Sequence, residues 1–269
     1  MSEATPWQIK MFNKSLKKRM KVATLAGHLR SVGDKRCLLL TCGDNNGAMN
    51  YQIRKLGGAW TWADMEGHSI PDMESLLGEK VLHLPLEDGR KWPIEDGAFE
   101  CVVAIDCHEH LDAPKALNLE LARITRPGGT LIVTTPNGNE RKLAVRIKHM
   151  VGMTKEKYGH KVVGYDIPDH ERMLSDVGLR PVASSSYSRF FTEMLELCIN
   201  FAYVNLLSKK KEAVVPEGTI APTTQDQFKS INKTYKIYSM IYPFFWLASK
   251  LDYLLLFTRG YAVVVEARK

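Results

Sequence analysis

Leu38-Leu39-Leu40-Thr41-Cys42-Gly43-Asp44-Asn45-Asn46-Gly47 is the stretch that decides the fold of this chain. An apolar run stops at a turn of small and polar residues, and a helical pattern follows over 49–56. A parallel β-strand hands over in this way to a loop that wraps a nucleotide-like ligand. Further landmarks follow in order. Trp60-Thr61-Trp62-Ala63 ends on Asp64, Asp88 lies five positions before Pro93, and Arg126-Pro127-Gly128-Gly129 precedes another apolar run.

Working outward, strands are predicted at 37–40, 60–63, 81–84, 99–105, 130–134, 180–186 and 261–266, with helices at 49–56, 73–77, 113–124, 141–150 and 167–178. Gly57-Gly58 and Gly78 suit left-handed helix ends, and Pro168 suits a first turn. Strands alternating with helices imply a parallel sheet with right-handed crossovers, with ligands beyond the carboxyl ends of the strands. Ahead of this pattern, residues 7–30 read as one basic amphipathic helix, with Ile9, Phe12, Leu16, Met20, Ala23 and Gly27 at near-helical spacing.

The 269 residues suffice for a large core in one domain with an insertion. The formal charge of +7 favours anionic partners, either nucleic acid or an anionic membrane surface. It is concentrated in part at Lys10, Lys14, Lys17, Lys18, Arg19 and Lys21, with no acid among them. Five cysteines without a C-x-x-C pair read as free thiols of a reducing compartment rather than disulfides or zinc ligands. The N-terminus lacks the apolar run of a secretory signal.

The order and spacing of landmarks over 38–137 resemble the class I S-adenosylmethionine-dependent methyltransferase family, of the methyltransferase type 11 kind. The resemblance implies an α/β fold: a Rossmann-like doubly wound sheet, mostly parallel with an antiparallel last strand. An apolar helical insertion lies between the last two strands. The implied organisation is a basic helical segment at 1–36, the methyltransferase domain at 37–189 and 260–269, and the insertion at 190–259. S-adenosylmethionine is the implied cofactor. The family's first motif, an acid and then three glycines at alternate positions, falls on Thr41, Gly43, Asn45 and Gly47. Threonine replaces the acid, and Asn45 replaces a glycine in a turn where Asn tolerates the left-handed region. Asp44 is a second source of the missing charge. Asp64 matches the acid that accepts hydrogen bonds from the ribose hydroxyls, with Glu66 as its competitor. Asp88 matches the acid near the adenine amino group. Arg126-Pro127-Gly128-Gly129 matches the family's structural turn into strand five.

Asp106-Cys107-His108-Glu109-His110 follows strand four, where the methyl group should emerge. Asp106 is assigned to the cofactor. His108 and His110 are the candidate catalytic residues, able to deprotonate or orient a hydroxyl acceptor. No metal is expected, because Asp106, His108, His110 and Asp112 lie on one loop and neighbours on one loop seldom converge on an ion. His160 and His170 flank a later segment from which either could reach the acceptor.

The insertion reads as an apolar stretch at 191–207, a polar loop at 209–236 with Lys209-Lys210-Lys211, and a strongly apolar stretch at 237–257. Lys250 and Asp252 interrupt the last, so it does not read as a membrane span of about 20 apolar residues. It reads as a cap over the acceptor pocket, as an element at a membrane interface, or as both. The function expected is methyl transfer to oxygen of a small-molecule or lipid-linked acceptor, by a cytoplasmic enzyme that can sit at the inner membrane face. An RNA methyltransferase is disfavoured because the Asn/Asp-Pro-Pro-aromatic motif of base methylation is missing after strand four. A nicotinamide-dependent oxidoreductase shares the glycine loop but not the Arg126–Gly129 turn. A non-catalytic binding module with a degenerate cofactor site is the remaining alternative, raised by Thr41 and Asn45.

Overall fold

The computed structural model describes residues 5–30, 32–43, 45–87, 90–202 and 225–269. Seven strands form one sheet in the order β3-β2-β1-β4-β5-β7-β6. They are β1 (Arg36–Thr41), β2 (Ala59–Asp64), β3 (Val81–His83), β4 (Phe99–Ile105), β5 (Thr125–Pro136), β6 (Arg180–Tyr187) and β7 (Ala262–Arg268). β7 runs antiparallel to both β5 and β6, and the pairings from β3 to β5 are parallel. The expected mostly parallel sheet with an antiparallel last strand is therefore observed.

Alternation along the central strands builds two cores, because successive side chains point to opposite faces. Leu38, Leu40, Val102 and Ala104 face one side, covered by Leu117 and Leu121 of α5 (Lys115–Ile124) and Leu174 of α7 (Ile167–Ser175). Cys37, Leu39, Cys101 and Val103 face the other. That side is covered by α1 (Trp7–Asn13), α2 (Leu16–His28), α3 (Ala48–Ile53) and α4 (Ile70–Leu77). The carboxyl ends of every strand but β7 share one edge of the sheet, the edge at which β7 begins.

The N-terminal segment differs from the single helix predicted. It breaks at Lys14-Ser15 into α1 and α2, and the Ser15 hydroxyl caps α2 by accepting from the Lys18 amide. The break lets α1 pack against the insertion, which comprises α8 (Phe190–Ala202), α9 (Gln225–Ser230) and α10 (Asn232–Ser249). Met11, Leu16, Ile199, Ile231, Tyr238 and Tyr242 form a cluster of their own there. The Tyr235 and Tyr238 hydroxyls donate to the carbonyls of Lys10 and Lys14, and Arg19 donates to the Tyr242 hydroxyl. The loop expected over 209–236 is thus helical from Gln225 onward, while Lys209-Lys210-Lys211 lie outside the described residues. α6 (Leu143–Met150) lies between β5 and α7 in the chain. All five cysteines are free thiols. No helix among the described residues is long and apolar enough to cross a membrane.

Candidate active site

The glycine turn is held by an acid from the neighbouring strand. Thr41 and Asp64 are register partners at the ends of β1 and β2. The Thr41 hydroxyl donates to Asp64 Oδ2 at 2.5 Å, and the Gly43 amide donates to the same carboxylate at 3.0 and 3.2 Å. The Glu66 amide donates to Oδ1 at 2.8 Å. Asp64 is fully buried, so its charge fastens the turn from beneath. The carboxylate that the sequence lacks at Thr41 is supplied across the sheet.

Above the turn lies Glu66. Gly43 has φ +73°, and a Cβ on it would collide with the Glu66 carboxylate, which is about half exposed. Gly47, at φ +85°, lets the backbone of α4 come close: an added Cβ would stand 3.1 Å from Met73 Cα. Asn45 is fully buried, donating to Asn50 Oδ1 at 2.5 Å and accepting from the Gly47 amide at 3.1 Å. It shapes the turn from within, where the sequence reading expected cofactor contact. Asp44 and Asp88 lie outside the described residues.

At the end of β4, the neighbour of β1, Asp106 takes φ +50°, a left-handed conformation that Asp tolerates better than most residues. Its amide donates to the Thr134 carbonyl at 3.1 Å, and its carboxylate accepts from the Thr134 hydroxyl at 2.6 Å. Lys21 of α2 forms an ion pair with the same carboxylate. The run of lysines in the first helix contained the signal for this partner, but spacing alone could not say which lysine turns inward. Lys17 does so too, toward Glu193 of α8 at 3.1 Å, and Lys148 of α6 meets the same carboxylate at 2.6 Å.

The two candidate catalytic histidines part company. His108 is fully buried, its Nε2 paired with Asn118 Oδ1 at 2.7 Å and its ring edge-to-face with buried His170 at 4.7 Å. Burial pushes its pKa down to about 4, against the opposing pull of the Asn118 bond. Neutral and enclosed, His108 is placed to pack the strand end and not to meet an acceptor. His110 is partly exposed and faces His160, with ring centroids 5.0 Å apart. The neighbouring Glu109 side chain accepts from the Thr135 hydroxyl at 3.2 Å. Asp106, His108, His110 and Asp112 do not converge. Asp106 pairs with Lys21, His108 with Asn118, and Asp112 points outward to Lys161 at 3.9 Å.

Residues 39–133 match the methyltransferase domain family. No curated protein matches the sequence. Among solved structures, a proposed sarcosine dimethylglycine methyltransferase from Galdieria sulphuraria is similar at TM-score 0.55 and 11% identity, covering 94% of this chain and 86% of that one. An S-adenosylmethionine-dependent methyltransferase from Mesorhizobium loti is similar at TM-score 0.53 and 12% identity, covering 92% and 96%. A geranyl diphosphate C-methyltransferase from Streptomyces coelicolor A3(2) is similar at TM-score 0.54 and 14% identity, covering 93% and 79%. At these identities the structures speak for the fold, and the family match covers the strand-and-turn region on which the site is built. The chain has the fold of the class I S-adenosylmethionine-dependent methyltransferases, and its residues 39–133 match the methyltransferase domain family.

Proposed function

We propose that this methyltransferase holds S-adenosylmethionine over the 43–47 turn and methylates an oxygen of an apolar, lipid-linked acceptor presented at an anionic membrane surface. The residues fit the cofactor. Bare backbone at Gly43 gives close approach, and Glu66 is the accessible acid beside it, so Glu66 takes the ribose hydroxyls while Asp64 braces the turn. Asp106 and Lys21 form a paired acid and base that match the amino and carboxylate groups of the cofactor's methionine part. Asp88 remains assigned to the adenine side. The bound cofactor supplies an electrophilic methyl group on a sulfonium. The protein then has chiefly to align the acceptor with it and keep water out.

The observation that carries the acceptor reading is an apolar stripe turned outward. On α10, the short 3-10 helix after it (Lys250–Leu255) and the turn that follows, Met240, Phe244, Leu247, Leu254 and Phe257 are 64–84% exposed. Ile237, Ile241 and Leu251 extend the same helical face. The opposite face, with Tyr238, Tyr242 and Phe245, is the one packed on α1. A patch of this kind marks an interaction surface, and this one is edged by exposed Lys233, Lys236 and Arg259. Lys250 lies over the Trp246 ring at 4.6 Å. The only acid in 231–260, Asp252, is buried and accepts from the Arg189 and Phe191 amides. Cations around an apolar helix face match an anionic bilayer surface.

Co-sedimentation with phosphatidylglycerol and phosphatidylcholine vesicles tests the reading, together with label transfer from methyl-tritiated cofactor to a lipid extract. Binding to the anionic vesicles, lost in the double variant Phe244→Ser, Phe257→Ser, and label in the organic phase are expected. Failure of the wild type to sediment would overturn the membrane surface. Label confined to water-soluble products would overturn the lipid-linked acceptor.

A further inference from the structure

Among the described residues one group of side chains is arranged to ligate a metal: Glu109, His110 and His160, with one donor atom from each within 4.8 Å of the others. It draws on two distant segments. Glu109 and His110 belong to the 3-10 turn His108–His110 that leaves β4, and His160 follows the 3-10 turn Lys155–Tyr158. The segments are fastened at the backbone, because the Glu109 carbonyl accepts from the amides of Lys161 at 2.8 Å and Val162 at 3.3 Å. Further along, the Tyr165 amide donates to the Pro136 carbonyl at 2.9 Å, which ties the later segment to the end of β5. The rings of His110 and His160 stand nearly perpendicular, at 80°. Glu109 is only 1% exposed. The Thr135 hydroxyl, bonded to Oε2, fixes its orientation.

We infer that Glu109, His110 and His160 hold a divalent first-row transition ion at the carboxyl ends of β4 and β5. Two imidazole nitrogens and one carboxylate oxygen form a facial set that leaves coordination positions open. Around an ion with ligands at about 2.1 Å the donors stand roughly 3.0–3.4 Å apart, so modest rotation of the side chains closes the set. His160 also lines a small cavity with Lys148, His149, Lys155, Tyr158 and Tyr261, which gives the ion an approach from one side. The role of the ion rests on the acceptor reading above. An acceptor hydroxyl bound at an open position has its pKa lowered and releases its proton to solvent. The alkoxide or phenolate lone pair forms the new O–CH3 bond, the C–S bond breaks, and its electron pair stays on sulfur. The sulfonium becomes a neutral thioether, and no other reactant is required.

The test is a titration of chelator-treated full-length protein with Co2+, followed by its visible absorption, with Zn2+ displacement afterwards. One equivalent should bind. His110→Ala and His160→Ala should each weaken binding on the order of 100-fold, Thr135→Val about tenfold, and His83→Ala on the far edge strand not at all. His160→Gln, close in size, guards against a misfolded alanine variant, and thermal unfolding checks each sample. Absence of Co2+ binding at millimolar ion, or binding unchanged in both His110 and His160 variants, overturns the site. S-adenosylmethionine is titrated into the same samples. Cofactor binding without metal binding overturns this inference alone. Metal binding without cofactor binding upholds the site and overturns the cofactor reading.

Discussion

The Gly43 amide donates to the Asp64 carboxylate at 3.0 Å, so the end of the second strand clamps the turn that follows the first. Thr41 and Glu66 add two more donors to the same group. Asp64→Ala removes all three bonds and leaves buried donors behind, each loss being worth about 1.5–3 kcal/mol where a charge is involved. Thermal unfolding should fall, and the affinity for S-adenosylmethionine should fall with it. Glu66→Ala should behave differently. It should weaken the cofactor by at least about tenfold, or 1.4 kcal/mol, with unfolding unchanged within about 0.5 kcal/mol. Calorimetric titration and unfolding of both variants check this. Equal loss of stability in the two would refute the division of labour.

That division was only half legible in the sequence. The apolar runs and the turns after them located the sheet, and β4 was predicted with its observed bounds, because a buried parallel strand announces itself by composition. The spacing from Thr41 to Asp64 also identified the right pair of strand ends. It could not show that Asp64 is turned inward, because a side chain's direction at a strand end is set by tertiary hydrogen bonds. His108 and His110 illustrate the same limit: two residues apart, one is enclosed beside Asn118 and the other meets His160 from a distant segment. The break at Ser15 was hidden because apolar spacing continues across it.

Enclosure of His108 carries a kinetic consequence. Its pKa of about 4 keeps it neutral, and its bond to Asn118 fixes the ring. The pH dependence of methyl transfer should therefore show no inflection from His108 near pH 6.5, and the neutral variant His108→Gln should retain that profile. Asn118→Leu strands the buried imidazole nitrogen and should cost about 1–3 kcal/mol of stability. A pH–rate profile that loses its acid limb in His108→Gln would restore the histidine to catalysis.

Glu193 joins α2, α6 and α8 through Lys17, Lys148 and the Ser188 hydroxyl, which donates to it at 2.6 Å. Burial alone would raise its pKa, but the lysine charges and hydrogen bonds outweigh burial and hold it at about 2. A carboxyl with a folded pKa below its unfolded value near 4.5 contributes stability above pH 4.5, and that contribution is lost as pH falls toward 2. The difference is about 3 kcal/mol. Glu193→Gln should destabilise the protein by about 3 kcal/mol at pH 7, since it removes the carboxylate charge that lies between the Lys17 and Lys148 ammonium groups. Urea unfolding at pH 7 and pH 3 should show the variant's deficit shrinking in acid.

One helical turn on, Glu196 has the opposite linkage. Burial pushes its carboxyl up to about 8, only partly offset by the Lys17 charge, and the Glu193 charge adds to the rise. The folded state therefore disfavours its ionisation, and stability is lost as pH rises from about 4.5 through 8. At 1.36 kcal/mol per unit the loss reaches about 5 kcal/mol. Glu196→Gln, which cannot ionise, should unfold like the wild type near pH 4 and should be more stable by up to that amount above pH 8. Parallel curves for the two proteins across this range would show that Glu196 ionises freely in the fold.

The outward stripe on α10 separates a docking surface from a core by its response to polar substitution. Phe244 and Phe257 are 72% and 84% exposed, so neither contributes much burial to the fold. Their replacement by Ser should change unfolding free energy by no more than about 0.5 kcal/mol. Tyr238, on the opposite face, is buried against α1 and hydrogen-bonded to the Lys14 carbonyl. Tyr238→Ser should cost about 3–5 kcal/mol, as aromatic truncation in a core does. If the stripe meets an anionic bilayer, raising the salt concentration should weaken vesicle binding by wild-type protein by screening Lys233, Lys236 and Arg259. Salt-independent binding would leave the apolar face alone to account for attachment and remove the charge from the argument.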